Sequence, residues 1–385
     1  MTFRETTHAV LHYQPYDKIP VVSFGYWAET VQKWAAQGHI TQEEADDYCR
    51  NGDNGAGDRA IMKKLGFDFN WNECFGGNAG LMPGFEPKLL EEYPDGKRKV
   101  IDEKGNINII KPGVDSIPAQ VGTLMTGREA WEELYLPKLQ YSESRVNMEY
   151  LKKIKERIDF VALKKLAEED GQRTLPKCIH CGSLYGAIRD MIGVTDLAYL
   201  QADDEELYDE VIDTVGELAY RVAERILAVY DGFDFAHFWE DICFKNGPLV
   251  SPRIFREKVG PHYKRITDLL AAHGIDIVSL DCDGCIDKLV PIWLDNGVNT
   301  MFPIEVGVWD ASIAPWRAQY GAQVRGVGGM NKTVFARERA DIDAEVERLK
   351  GLIALGGYIP CPDHRIAPDA KWENVQYYCE KMQAL

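Results

Sequence analysis

A single (β/α)8 TIM barrel with an N-terminal extension and a hairpin insertion is the fold that this sequence predicts for residues 1–385. Three observations lead there. Short apolar runs with the composition of strands buried in a parallel sheet recur along the chain, and amphipathic stretches of helical period separate them. No GxGxxG follows a strand and no P-loop occurs, which disfavours a doubly wound nucleotide-binding sheet. Several strand ends finish in acidic residues, where barrels of this kind carry their active groups.

The first strand lies in Asp17-Lys-Ile-Pro-Val-Val-Ser-Phe-Gly25, which ends in a glycine turn. A helix follows from about Glu29 to Ala36, and the capping-box pattern Thr41-Gln-Glu-Glu starts another through Cys49. Residues 51–87 are rich in Gly, Asn and aromatics and read as a long loop, either a lid or substrate wall or packing under a connection. Lys97-Arg-Lys-Val-Ile-Asp and Gly105-Asn-Ile-Asn-Ile-Ile alternate as a β-hairpin. A helix-rich stretch runs from Gly127 to Asp170. Strands then fall in Thr174–His180, Phe233–Glu240, Ile275–Asp283, Asn299–Glu305, Gln323–Gly329 and Gly356–His364, with helices in Asp203–Tyr230, Pro252–Ala272 and Arg337–Leu355. Ile19–Phe24 and a strand near Gln120–Leu124 complete the eight.

Charge narrows the partners. Lys plus Arg number 44 against 61 Asp plus Glu, a net charge of −17, which argues against nucleic acid or an anionic membrane surface. The N-terminus has no apolar h-region and no window approaches a membrane span, so a soluble cytoplasmic protein is expected. The nine cysteines are expected to be reduced thiols. Two CxxC pairs, Cys178 with Cys181 and Cys282 with Cys285, lie at strands where residues three apart face opposite sides, which weakens the case for a four-cysteine zinc site.

Read in order, the strand ends carry His180, Glu240 and Asp241, Asp281 and Asp283, Glu305, Asn331 with Lys332, and Asp363 with His364. Asp281 and Asp283 at i and i+2 point to one side of a strand, unless they serve as loop and cap residues before a helix starting near Ile286. Together with His364 they suit a divalent metal, zinc by preference, with Glu240 or Glu305 completing the shell. The alternative is an acid/base network without metal, in which crowded carboxylates raise one another's pKa. Trp239 is either an apolar wall or core, His180 either a site or a structural residue, and Lys245 either an anion contact or solvated.

These residues belong to a wider resemblance. Asp17-Lys-Ile-Pro, Phe238-Trp-Glu-Asp, Gly247-Pro-Leu-Val-Ser-Pro-Arg-Ile-Phe, Asp281-Cys-Asp-Gly, Gly328-Gly-Met-Asn-Lys and Gly356-Gly-Tyr-Ile-Pro-Cys-Pro-Asp-His resemble the uroporphyrinogen decarboxylase superfamily, in its branch of corrinoid-dependent methyltransferases. Where the decarboxylases carry Arg-Gln-Ala-Gly-Arg, this chain reads Phe24-Gly-Tyr-Trp-Ala-Glu-Thr, without the arginines that hold a polyanionic tetrapyrrole. Where the thiol methyltransferases bind zinc with His-x-Cys-Gly and a late Cys, it has Asp281, Asp283 and His364, a harder set. Asn331 stands where relatives carry Asp before the lysine.

The resemblance implies an O-demethylase-type methyltransferase that moves a methyl group from a small methylated donor, such as a methoxylated aromatic, to a separate corrinoid protein. No Asp-x-His-x-x-Gly corrinoid-binding stretch occurs, so the corrinoid is expected on another polypeptide. Glu240, Asp241, Glu305 and Lys332 are the expected catalytic residues, and Trp239, His180, Phe85 and Asn331 the substrate-binding ones. A metal-assisted decarboxylase or lyase acting on a small acid, and a non-catalytic small-ligand-binding barrel, are the alternatives. A homodimer and a monomer both stay open.

Overall fold

The computed structural model describes residues 1–111, 118–146 and 173–385. Along the chain the strands are β1 (Val22–Ser23), β2 (Phe69–Asn70), β3 (Cys74–Phe75), β4 (Lys88–Glu92), β5 (Arg98–Ile101), β6 (Asn106–Ile110), β7 (Ala119–Thr123), β8 (Cys178–His180) and β9 (Phe235–Trp239). They continue with β10 (Cys243–Phe244), β11 (Gly247–Pro248), β12 (Val278–Asp281), β13 (Thr300–Phe302), β14 (Arg325–Met330) and β15 (Tyr358–Pro362).

The apolar runs from β8 onward, joined by β3, build one parallel sheet of seven strands among the described residues, in the order β15-β14-β13-β12-β9-β8-β3. Every residue of β12 and of β15 is buried, as expected where helices cover both faces of a parallel sheet. A long covering helix, Glu205–Leu227, buries Leu207, Val211, Val215, Leu218, Val222 and Ile226 at helical spacing, and Asp204 caps it by accepting from Leu207 N at 2.9 Å.

A second parallel pair, β1 with β2, stands at the sheet's two edges. Trp71, Asn72 and Glu73 alone separate β2 from β3, and Trp71 N donates to Ser23 O at 3.0 Å. On the other side Ile366 N donates to Gly25 O at 3.0 Å and Trp27 N to Ile366 O at 3.1 Å, a parallel bridge that ties the end of β1 to the chain leaving β15. The carboxyl ends of β1 and β15 are thereby brought together.

Three expectations are corrected. The strand near Gln120–Leu124 is β7, which pairs antiparallel with β6 in a separate four-stranded sheet, β4-β5-β6-β7, that also holds the expected hairpin. Its alternation showed a strand but not which sheet would take it. The place in the parallel set goes to β2 and β3, inside the segment expected to be a loop, where Phe67, Phe69 and Trp71 alternate into the core. The helix expected from near Ile286 begins at Val290. Of the helix-rich stretch 127–170, the part up to Val146 is a run of short helical turns, and residues 147–170 lie outside the described residues. Among the described residues no helix is long and apolar enough to cross a membrane.

At the carboxyl ends of β13 and β14 the backbones approach closely: Gly329 N donates to Pro303 O at 2.9 Å, and a Cβ on Gly328, whose φ is +125°, would stand 1.5 Å from the same oxygen. Gly328→Ala should therefore lower the unfolding free energy by about 3 kcal/mol, measured by urea denaturation at constant slope. An alanine variant as stable as the parent would show that these strand ends separate without cost.

Candidate functional site

A cleft of about 520 Å³ opens at the carboxyl ends of the parallel strands. Strand register sets its floor, with His180 opposite His237, His237 opposite Ser279, and Trp239 opposite Asp281. Its walls include Phe24 and Trp27 after β1, His180, His237 and Trp239, then Asp241, Asp281, Asp283, His364 and Arg365. Sequence reasoning named six of these and missed Phe24, Trp27, His237 and Arg365. A histidine inside the apolar run Phe235-Ala-His-Phe-Trp was the available signal for His237.

The expected acidic cluster is assembled. Asp281 is buried, and burial first and Asp283 second push its carboxyl well above the ordinary carboxylate range, against the pull of Arg365. Its side-chain oxygens make no hydrogen bond to the described residues, yet they are not sealed from the cleft. Glu305 accepts from Gly284 N at 2.5 Å, while burial and Asp283 push its carboxyl up to about 7. Asp363 accepts from Gly307 N at 2.8 Å and Lys332 N at 3.1 Å. Burial lowers the Lys332 ammonium, against Asp363, Asp283 and Glu305, which favour its charge.

His364 Nε2 lies 3.2 Å from Asp283 Oδ2, and its ring stacks beneath Trp27 at 5.4 Å between centroids and 20° between planes. Asp283 Oδ1 and His364 Nδ1 are buried without a partner. These two atoms would suit a cation, but among the described residues no group of three or more His, Cys, Asp or Glu side chains is gathered to hold a metal ion. Asp283 and His364 spend their facing atoms on each other. The reaction proposed for this cleft accordingly uses no metal ion.

Arg365 closes the cleft from the other side in a two-pronged pair with buried Asp53, Nη1 to Oδ1 at 2.8 Å and Nη2 to Oδ2 at 2.6 Å. Burial works against the guanidinium's charge, and Asp53 outweighs it. These partners lie 312 residues apart, so nothing local in the sequence pointed to them.

Several expected residues stand elsewhere. Glu240 is fully buried behind the cleft: Oε1 accepts from Leu184 N at 2.8 Å and from the Tyr263 hydroxyl, and Oε2 from Gly186 N at 2.6 Å. It anchors the start of the helix Tyr185–Ile192 instead of facing the cleft. The turn that follows, with Asp241 at φ +49°, swings Asp241 into the cleft, where Arg189 pairs with it at 3.0 Å. Asn331 caps the short helical turn Lys332–Ala336 by accepting from Thr333 N at 3.1 Å. Phe85 lines a separate cavity of about 450 Å³ that shares Trp239 with the main cleft. Glu305, Asp363 and Lys332 stand around Asp283 behind the cleft wall. All nine cysteines are free, and Cys178, Cys181 and Cys282 are buried thiols.

No protein family matches the chain by sequence, and no curated protein matches it. Among solved structures, a methyltransferase from Methanosarcina mazei aligns with 100% of this chain and 99% of its own, at TM-score 0.63 and 16% identity. A B12-independent methionine synthase from Shewanella sp. W3-18-1 covers 94% of this chain and 97% of its own, at TM-score 0.46 and 10% identity. A putative vitamin-B12-independent methionine synthase from Listeria monocytogenes covers 96% and 99%, at TM-score 0.41 and 12% identity. The first likeness establishes a shared α/β fold over the full length; the other two are too distant to bear on it.

The position of Glu240 makes a prediction about stability. Burial pushes its carboxyl from 4.5 up to about 7, although the Tyr263, Leu184 and Gly186 donors pull it back. A folded-state value above the unfolded one favours the protonated fold, so this contribution is complete below about pH 4.5 and is lost as pH rises through 7. The stability difference between the parent and Glu240→Gln should therefore fall by about 3 kcal/mol across that window. Turnover of the folded variant should change little. A flat difference, measured by urea denaturation from pH 4 to 8, would remove the buried-carboxyl account of Glu240.

Proposed function

We propose that the two parallel sets form one (β/α)8 barrel, with β2 and β3 counting as one interrupted strand, and that the chain is an enzyme moving a methyl group from a small O-methylated donor, such as a methoxylated aromatic, to a corrinoid carried by a separate protein. The observation that carries this reading is Asp281: a carboxyl favoured in its protonated form, bare of protein hydrogen bonds, facing a cleft walled by Trp27, Phe24 and Trp239. The full-length likeness in fold to a methyltransferase supports it.

A cleft of about 520 Å³ suits a donor of drug-like size or smaller and is too small for a corrin macrocycle, which must approach at the rim. When bound there, the corrinoid supplies the nucleophile that accepts the methyl group. This chain's residues do the rest. The aromatic walls bury the donor's apolar body and exclude water. As the oxygen–methyl bond breaks, the oxygen keeps the bonding pair and takes the proton of Asp281, leaving as a neutral alcohol or phenol. Asp281 is left as a carboxylate and regains a proton from solvent. Asp283, held by His364, opposes the loss of that proton until the leaving oxygen needs it.

With a reduced corrinoid protein and a panel of methoxylated aromatics, Asp281→Asn should lower single-turnover methyl transfer by about a hundredfold or more. The parent's rate should decline as pH rises through the raised Asp281 pKa, because the acid is then spent, and the asparagine variant's slow rate should be flat with pH. Failure of every donor to react with a corrinoid protein known to be active, or an asparagine variant at parental rate, would sink the proposal.

A further inference from the structure

Behind the cleft runs a hydrogen-bond relay that the reaction above does not use. Trp71 Nε1 donates to Ser279 Oγ at 3.0 Å, and Ser279 Oγ lies 3.0 Å from His237 Nδ1. An indole nitrogen is a donor only, so Trp71 fills one lone pair of the hydroxyl and cannot take its hydrogen. Ser279 is fully buried, and these two atoms are the partners of its hydroxyl among the described residues. The hydroxyl hydrogen therefore goes to His237 Nδ1, and the neutral ring carries its own proton on Nε2.

The surroundings fix this arrangement. Strand register sets Ser279 opposite His237, Trp71 stacks on Phe235 at 4.2 Å between centroids, and Phe302 packs edge-on against His237 at 5.7 Å. His237 Nε2 makes no hydrogen bond to the described residues and is not among the sealed polar atoms, while the ring lines the cleft. Among the described residues the proton on Nε2 thus has no partner, and it faces what enters the cleft.

We propose that His237 is a substrate-binding residue, a neutral imidazole locked by Trp71 and Ser279 to present Nε2–H to an acceptor oxygen of the ligand. It selects oxygen-bearing donors over methylated ammonium compounds, which have no lone pair to offer. The naming of the ligand as a methyl donor rests on the methyl-transfer reading; the tautomer does not. Burial, with His180 adding to it, keeps the imidazole well below its ordinary pKa, so it donates a hydrogen bond without serving as a proton source. That bond strengthens as charge develops on the leaving oxygen, while the transferred proton still comes from Asp281.

Nitrogen-15 NMR of the full chain labelled at its eight histidines tests this, with His237 assigned by its absence in His237→Gln. The parent should show Nε2–H at His237, and Ser279→Ala should shift the Nδ1 resonance as its hydrogen bond is lost. Titration with 2-methoxyphenol should move the Nε2–H proton downfield, and tetramethylammonium should not. Single-turnover transfer should fall by about 10²–10³-fold in His237→Phe and recover in large part in His237→Gln, whose amide reaches the same place. Nδ1–H in the parent, an unmoved Nδ1 in Ser279→Ala, or equal response to the two probes would overturn the assignment. If the tautomer and the 2-methoxyphenol response hold while no methyl transfer is found, the reaction is wrong and His237 stands as the oxygen-binding donor.

Discussion

Burying carboxylates at the carboxyl ends of the parallel strands costs free energy that must be compensated at each one, and the form of compensation sorts them by use. Asp53, Glu240, Asp281, Glu305 and Asp363 are all buried there or just behind. An ionised carboxyl removed from water needs a cation, hydrogen-bond donors or a proton. Asp53 has the cation Arg365. Asp363 and Glu305 have backbone N–H groups where strands give way to turns, and Glu240 has the start of a helix and a tyrosine hydroxyl. Asp281 alone of the five has no hydrogen bond from the described residues, and burial with Asp283 nearby shifts it toward its protonated form, against the pull of Arg365.

That division links packing to chemistry. The carboxylates with donors fasten loops and a helix to the strand ends where the cleft walls meet the sheet. Glu240 joins the helix Tyr185–Ile192, the strand β9 and Tyr263. The Asp53–Arg365 pair ties the loop before the helix Ala56–Leu65 to the chain leaving β15. Between these anchors, Asp281 and the Nε2–H of His237 both present polar atoms to the cleft that make no hydrogen bond to the described residues. An acid and a neutral donor beside aromatic walls suit an apolar molecule with one oxygen at its reacting end better than an ion.

Much of this was legible in the sequence. The late strands and their helices followed from apolar runs and helical periods, because those elements are continuous and buried on both sides. The gathering of Asp281, Asp283 and His364 followed from their common place at strand ends. What failed was direction and distance. Trp239, not Glu240, lies opposite Asp281; Glu240 stands one residue beyond β9 with its side chain turned away from the cleft, and the left-handed turn at Asp241 brings that strand end's other carboxylate to the cleft. The strands β2 and β3 are two residues each, too short to show a period. The Asp53–Arg365 and Trp71–Ser279–His237 contacts join residues far apart in the chain, and no local pattern encodes them.

The account turns on whether Asp281 holds a proton near neutral pH. Infrared difference spectroscopy of the parent against Asp281→Asn at pH 7 reads this without any assumption about substrate. A protonated-carboxyl band present in the parent and absent from the variant is the predicted result. A difference spectrum with carboxylate bands alone would contradict the account and return the cleft to a simple ionised cluster.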